Sequence, residues 1–326
     1  MLRHLSATAG HRFPNWRFHS LALLFCLFSL LISACGGQSA NTNASNTDTG
    51  DRVIKHAMGE TKVPAHPKRV VVLDTGELDN AIALGITPVG AVSAFPDGKL
   101  LTYWGDKTKA ITLVGTIAQP NLEKIMSLSP DLILSSKVRH EKIYKELSEI
   151  APTVFTETVG APWKENFKLQ AEALNKIDEY NRLMNAYNQR LTEFKQKMGA
   201  KLSSTHVSMV RVLSDRVRIY QNKSFVGTLL KDAGLPRPAA QDKDDFFIED
   251  SSYERIKDMD GDVIFLMNYG NSEDRLEELT HQAQWKQLQA VKSGRVYRVS
   301  DDIWALGLGI GAADKVIDDL FTYLAK

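Results

Sequence analysis

From Arg52 onward, short runs of β-favouring apolar residues alternate with segments whose apolar positions fall at helical spacing. Val70-Val71-Val72-Leu73 is a continuous apolar run, the mark of a strand buried on both faces. Asp74-Thr75-Gly76-Glu77 then supplies helix-capping chemistry, and Leu78, Ala81, Ile82 and Leu84 follow at helical spacing. Gly85 stops that helix as a left-handed C-terminal residue does. Leu132-Ile133-Leu134 and Val263-Ile264-Phe265-Leu266 are two further buried-strand candidates. Val207 to Val212 and Val217 to Tyr220, split by Ser214-Asp215, form either a hairpin or two successive strands. The alternation predicts an α/β architecture.

The pattern also repeats. Glu123-Lys124-Ile125 leads to Pro130-Asp131-Leu132-Ile133, and Glu254-Arg255-Ile256 leads to Gly261-Asp262-Val263-Ile264. Both copies place glutamate and aspartate eight residues apart, with a helix running into a strand. A looser echo precedes each: Val70–Leu73 leads to a helix ending at Gly85, and Val217–Tyr220 to one ending at Gly234. Two echoes in the same order predict two topologically related lobes. Between them, apolar or aromatic residues at 167, 171, 174, 177, 180, 184, 187, 191, 194 and 198 keep a three-to-four spacing, with a break at Asn175-Lys176. The piece from Ile177 to Met198 is a helix of ~33 Å at ~1.5 Å per residue, long enough to join two lobes. A single stiff helix is a poor hinge, so small lobe motions are expected. The divisions read as 1–34, 35–51, 52–175, 176–200 and 201–326: leader, tether, first lobe, linking helix and second lobe.

The first two divisions rest on different chemistry. Arg3, Arg12 and Arg17 precede Leu21 to Ile32, an apolar run shorter than the ~20 residues that span a bilayer. The run ends at Leu31-Ile32-Ser33-Ala34-Cys35, which resembles the lipobox of bacterial lipoproteins. The resemblance implies a signal peptide and a diacylated Cys35; the alternative is an uncleaved anchor with an incidental cysteine. With cleavage Cys26 is lost and Cys35 carries lipid, leaving no thiol for a disulfide, a metal site or a nucleophile. Gly36 to Asp51 contain only Gly, Gln, Ser, Ala, Asn, Thr and Asp, the composition of a flexible tether. No acid precedes Cys35, so the 40 basic and 39 acidic residues of the chain become 37 and 39 after it. A near-neutral body argues against a nucleic-acid partner.

Several segments together resemble a known family. They are His66-Pro67-Lys68-Arg69-Val70-Val71-Val72-Leu73, Asn121-Leu122-Glu123-Lys124-Ile125 through Pro130-Asp131-Leu132-Ile133, Tyr253-Glu254-Arg255-Ile256 and Gly294-Arg295-Val296-Tyr297. The chain is similar to bacterial substrate-binding proteins for iron–siderophores, haem and vitamin B12, and most similar to binders of ferric hydroxamates and ferric citrate-type chelates. The resemblance implies two Rossmann-like lobes joined by a single long α-helix, and no enzymatic activity. It implies capture of a ferric siderophore outside the cytoplasmic membrane by a lipid-anchored monomer, and delivery to the permease dimer of an ABC importer. Glu123 and Glu254, by their place in the motif, are the carboxylates that meet permease arginines, one per lobe. The repeat supports that assignment; without it both would read as solvated surface residues.

A siderophore fills the iron coordination sphere with hard oxygens, so the protein needs cations and aromatics around the chelate and no cofactor or metal ligand of its own. His56, His66, His140, His206 and His281 include no close metal-binding pair. Ligands of open α/β sheets sit beyond the carboxyl ends of strands. That rule selects Arg139, after Leu132–Ser135, together with Arg211, Arg218 and Tyr220 in the strands beginning at Val207 and Val217. An arginine inside an apolar strand is costly unless paired, so Arg211 is expected to face an anion; pairing of Arg211 or Arg218 with Asp215 is the alternative. Trp163, Tyr269 and Trp304 lie at element ends and are candidates for the cleft wall, although such residues are more often packing. Thr75 and Tyr103 complete the set, and the resemblance favours Arg139, Arg211 and Trp163. Exchanging Arg139 or Arg211 is expected to weaken ligand binding with little loss of stability.

Other classes fit less well. Neither a G-x-S-x-G elbow nor a P-loop is present, and Gly307-Leu308-Gly309-Ile310-Gly311 has the wrong spacing for a dinucleotide fingerprint, with only fifteen residues after it. Haem or cobalamin binding in the same fold is the nearest rival, with Tyr220 or Tyr269 as an axial ligand to haem. A ligand-free scaffold or adhesion lipoprotein is the third class; Arg139 and Arg211 turned away from the cleft would be its signature.

Overall fold

The computed structural model describes residues 50–325 apart from Pro96 and Asn271. The expected leader, Cys35 and most of the tether lie outside the described residues. Twelve strands are described: β1 (Arg52–His56), β2 (Gly59–Val63), β3 (Val70–Val72), β4 (Gly90–Ser93), β5 (Thr112–Thr116), β6 (Leu132–Ser136), β7 (Thr153–Thr156), β8 (Val207–Val212), β9 (Val217–Tyr220), β10 (Phe247–Asp250), β11 (Val263–Asn268) and β12 (Val296–Arg298). The first-lobe sheet runs β5-β4-β3-β6-β7, all parallel. The second-lobe sheet runs β10-β9-β8-β11-β12. β1 and β2 form an antiparallel hairpin against β7, tied by the Ala57 amide to the Phe155 carbonyl.

The two sheets share an order but not a connectivity. β3 and β8 hold the same central place, next to β6 and β11 respectively. After β3 the chain crosses over through the helix Thr75–Ala83, so β4 is parallel. After β8 it turns back at once, with the Leu213 amide bonded to the Arg216 carbonyl, and β9 is antiparallel. The hairpin reading of the two strands therefore holds. The looser echo needs correction: β9 corresponds to β4, and the counterpart of β3 is β8. The stricter echo has a physical basis. Asp131 accepts the Lys68 and Arg69 amides at 2.7 and 2.8 Å, just before β3. Asp262 accepts the His206 amide at 2.7 Å, just before β8. Each aspartate thus anchors the start of its lobe's central strand. The second glutamate is not on a helix as expected; Glu254 sits in a turn before the short 3-10 segment Ile256–Met259.

A single helix, Ile177–Met198, links the lobes and buries Tyr187, Leu191, Phe194 and Met198 along one face. It is separated from the helix Trp163–Ala173 where Asn175 takes φ 55°, a conformation asparagine tolerates. The C-terminal helix Ile310–Tyr323 packs on both the linking helix and Thr75–Ala83. Its first turn meets the first lobe directly: Ile310 N–H donates to Asn80 Oδ1 at 2.9 Å and Gly311 N–H to Asp79 Oδ2 at 2.8 Å. A Cβ on Gly309 would stand 2.4 Å from Asp79 Oδ2, so the Gly-rich run is there to let this helix start approach. One apolar core therefore runs from the inner face of the first sheet (Val70, Leu132) to that of the second (Met209, Phe265). Sharing a core resists large rotation between lobes. Among the described residues no helix is long and apolar enough to cross a membrane.

Candidate functional site

The carboxyl ends of both sheets carry paired charges. In the first lobe β3 delivers Asp74, which is buried and caps the helix Thr75–Ala83 through Oδ1 and the Thr75 amide at 2.7 Å. Its Oδ2 accepts from Arg139 Nε at 2.9 Å. Arg139 stands on the short helix Lys137–His140 after β6, partly exposed, and with Lys137, Lys142, Glu141, Glu157 and Thr158 it lines a cavity of about 690 Å³. Thr75 is buried, its hydroxyl directed to Asp74, and it orients that carboxylate. One turn further, Glu77 is buried with Gln170 Nε2 donating to it at 3.1 Å. Burial and the neighbouring Asp74 charge push the Glu77 carboxyl up to about 8.

The second lobe carries the larger group. Arg211 on β8 and Arg218 on β9 are register partners, a like-charge pairing that costs stability unless each is neutralised. Each is. Arg211 makes a two-pronged ion pair with Asp301, Nε–Oδ1 2.5 Å and Nη2–Oδ2 2.7 Å, and donates from Nη1 to the Tyr220 hydroxyl at 3.2 Å. Arg218 Nε donates at 2.8 Å to Glu249, its partner on β10. The guanidinium groups also lie over aromatic rings, Arg211 at 4.7 Å from Tyr269 and Arg218 at 4.2 Å from Phe247. Alternation along the strands puts Met209, Arg211 and Tyr220 on the face turned to the shared core, with Val210, Val212 and Ile219 on the other.

Contacts between lobes show that these two ends face each other. Tyr269, after β11, donates its hydroxyl to the Ala94 carbonyl after β4 at 2.8 Å. On the far side the Ala161 amide, beyond β7, donates to the Lys223 carbonyl at 3.1 Å. Asp302 joins in as well, accepting the Thr102 amide at 2.6 Å. Its neighbour Asp301 holds Arg211, so two adjacent aspartates bind opposite lobes.

A family model described as periplasmic binding protein matches residues 70–303, most of the chain. The chain belongs to the periplasmic binding protein family. It is a substrate-binding protein and not an enzyme. It is 39% identical to a probable siderophore-binding lipoprotein of Bacillus subtilis (strain 168), over 94% of this chain and 98% of that one. It is 32% identical to an Fe(3+)-citrate-binding protein of the same organism, over 92% of this chain and 94% of that one. Among solved structures it is similar to Staphylococcus aureus SirA complexed with staphyloferrin B, with a TM-score of 0.77, 36% identity, and coverage of 84% of this chain and 98% of that one. The two-lobed α/β fold with its connecting helix is the fold of this family.

Within that frame the structure brings together Arg211, Arg218, Tyr220 and Tyr269, and sets Arg139 on the opposing lobe. It does not bring Trp163, Trp304 or Tyr103 to them. Trp163 is fully buried, its indole N–H on Thr228 at 3.1 Å and its ring edge-on to Tyr187 and Phe225. Trp304 is fully buried against Phe265, bonded to Asp319 at 2.7 Å. Both are packing residues, because an indole with its N–H satisfied in a core has nothing left to offer a ligand. Tyr103 and Trp104 both donate to Asp79, which also receives Gly311, so Tyr103 serves the joint between lobes. The Asp215 alternative fails too: Asp215 pairs with Arg216. Because Arg211 is matched to a buried acid, its removal strands Asp301, and the expectation of unchanged stability is corrected for that residue.

Glu123 follows the Asn121 cap of the helix Leu122–Ser127 and is exposed; Glu254 is exposed in its turn. Asp301, Glu249 and Phe247 escaped the sequence reading, and Asp74 reads there as a helix cap without its arginine partner. Nothing in the local pattern marks these roles, since each is exerted on a residue far along the chain or across a strand pair. Among the described residues no group of three or more His, Cys, Asp or Glu side chains is placed to hold a metal.

Proposed function

We propose that the chain captures a ferric siderophore of hydroxamate or citrate–hydroxamate type outside the cytoplasmic membrane and hands it to the permease of an ABC importer. The observation that carries this reading is the guanidinium and aromatic cluster of Arg211, Arg218, Tyr220 and Tyr269 at the carboxyl end of the second sheet, with Arg139 at the carboxyl end of the first. Of the five N–H donors of a guanidinium, Arg211 commits three to Asp301 and Tyr220. The remainder are held in a fixed plane, suited to a carboxylate or hydroxamate oxygen of a chelate whose iron is already saturated. Each of the three arginines meets an acid: Arg139 meets Asp74, Arg211 meets Asp301, and Arg218 meets Glu249, which it shares with Arg216. The fixed charge of the cleft is thus close to balanced. A balanced cleft favours a chelate of low net charge over a highly anionic tris-catecholate. The tyrosine hydroxyls that haem would use are engaged, Tyr220 by Arg211 and Tyr269 by the Ala94 carbonyl.

Delivery is assigned to Glu123 and Glu254, one exposed carboxylate per lobe, presented to arginines of the permease dimer. A lipid on Cys35 keeps the protein, acting as a monomer, at the membrane. The test is titration calorimetry of the purified chain with ferric bis-hydroxamate–citrate, ferric tris-hydroxamate, ferric citrate, a ferric catecholate, haemin and cobalamin. Submicromolar binding of a ferric hydroxamate or citrate-type chelate, absent with its iron-free form, is expected. Binding of haemin or cobalamin alone retains the family and rejects the arginine site. No heat with any of them leaves a ligand-free scaffold.

A further inference from the structure

Two of the cross-lobe contacts at the sheet ends bracket the central strands. β4 and β7 lie on opposite sides of the β3–β6 pair, and β9 and β11 on opposite sides of β8. The contact beyond β7 and β9 is main chain to main chain, from Ala161 to Lys223. It is also close-packed: a Cβ on Gly160 would stand 2.6 Å from the Phe246 ring and 3.1 Å from the Lys223 carbonyl. The contact beyond β4 and β11 is of another kind. Here side chains reach over: the Tyr269 hydroxyl donates to the Ala94 carbonyl at 2.8 Å, and further along the same loop Asp302 accepts the Thr102 amide at 2.6 Å. The Tyr269 ring lies 6.3 Å from that of Phe95 with an interplanar angle of 20°. The receiving side is preorganised, because the buried Ser93 hydroxyl accepts the Phe95 amide at 2.9 Å and donates to the Lys99 carbonyl.

We infer that Tyr269 is a latch that sets ligand entry and release, with the Ala94 carbonyl as its keeper and Phe95 as the ring it closes on. Ala161–Lys223 is the side that stays shut. Releasing the Tyr269 hydroxyl by one rotamer change costs one hydrogen bond and loosens a side held by side chains, with Asp302–Thr102 as its remaining tie, whereas parting the other side breaks packed backbone. Tyr269 is tied to recognition as well, because its other neighbour is the Arg211 guanidinium. A chelate that engages Arg211 therefore meets the latch ring. This inference rests on the proposed ligand-capture function.

The test uses Tyr269→Phe, which removes the hydroxyl and keeps the ring. Spin labels are placed at Lys145→Cys and Lys257→Cys, both exposed, in the full chain in detergent with Cys26 and Cys35 changed to Ser. Without any ligand, Tyr269→Phe is expected to lengthen and broaden the inter-lobe distance distribution. Losing one hydrogen bond raises the open population about two- to tenfold. Stopped-flow mixing with ferric citrate is expected to show association and dissociation constants both raised by a similar factor. A distance distribution identical to wild type overturns the latch. So does wild-type association in a variant whose lobes have opened. If wild type binds no ferric chelate, the proposed function fails, and the ligand-free distances still decide whether Tyr269 holds the lobes together.

Discussion

The guanidinium of Arg211 and the carboxylate of Asp301 lie fork to fork, at 2.5 and 2.7 Å, each side chain only 7% exposed. Ninety residues separate them in the chain. The pair makes Arg211 both a recognition group and a structural one. Removing one partner of a buried pair typically costs about 3–5 kcal/mol, because the other charge is left in the core. Arg211→Ala is therefore expected to lower stability by about that amount in urea unfolding. Arg211→Ala together with Asp301→Ala is expected to recover part of it. If the single variant were as stable as wild type, the pair would not be buried as described.

Arg139 allows the cleaner test of recognition, because it is partly exposed and only its Nε is bonded to Asp74. Arg139→Gln is expected to weaken binding of the preferred ferric chelate about 10- to 100-fold, the loss of one or two charge-assisted hydrogen bonds. The melting temperature is expected to move little. Calorimetry at matched temperature reads the first and scanning calorimetry the second.

Glu123 and Glu254 separate transport from binding. Reversing either charge to arginine is expected to abolish uptake of chelated radioactive iron by cells while leaving the dissociation constant of the purified protein unchanged. A fall in affinity in these variants would assign the two residues to the ligand instead.

Trp163 and Trp304 are predicted to matter for folding alone. Either tryptophan changed to alanine is expected to cost about 3–5 kcal/mol of stability. Below the unfolding transition, ligand affinity is expected to stay within about twofold of wild type. A large selective loss of affinity would place the indole in the ligand site.

Glu77 gives the fold a pH dependence. Its folded-state pKa is raised to about 8, first by burial and then by the Asp74 charge, from an ordinary value of 4.5. The native state thus holds a proton that the unfolded chain has released between those two values. Stability contributed by this group is full below about 4.5 and falls as pH rises toward 8. Glu77→Gln is expected to flatten that part of the slope and to raise stability at pH 8 relative to wild type. Urea midpoints measured from pH 5 to pH 9 check it.

Much of the scaffold could be read because it is written locally. The run Val70–Leu73, the cap at Asp74 and the stop at Gly85 are short-range signals, and the helix Thr75–Ala83 obeys them. The linking helix followed from apolar spacing and its start from Asn175. The site was half legible. A rule about strand ends picked Arg139, Arg211, Arg218 and Tyr220, because polar residues in or just after apolar runs stand out, and it picked Tyr269 as a ring at an element end. The same rule picked Trp163 and Trp304, since a large ring at an element end looks alike whether it turns to a cleft or to a core. The looser echo misled for a similar reason: β9 copies the sequence context of β3 but lies in the place of β4, because a four-residue turn reverses the chain after β8.

The sequence by itself determined the two-lobed α/β scheme, the linking helix, the duplicated Glu and Asp positions and the residue types of the site. Periodicity, capping and turn chemistry act over a few residues and need no distant partner. Only the tertiary structure decided the partners: Asp301 for Arg211, Asp74 for Arg139, Ala94 for Tyr269, and the first lobe for the C-terminal helix. Those choices depend on which residues two sheets and one long helix bring within hydrogen-bond reach, across up to 233 positions of chain. A hydrogen bond is decided at ~3 Å, and no local pattern carries that distance.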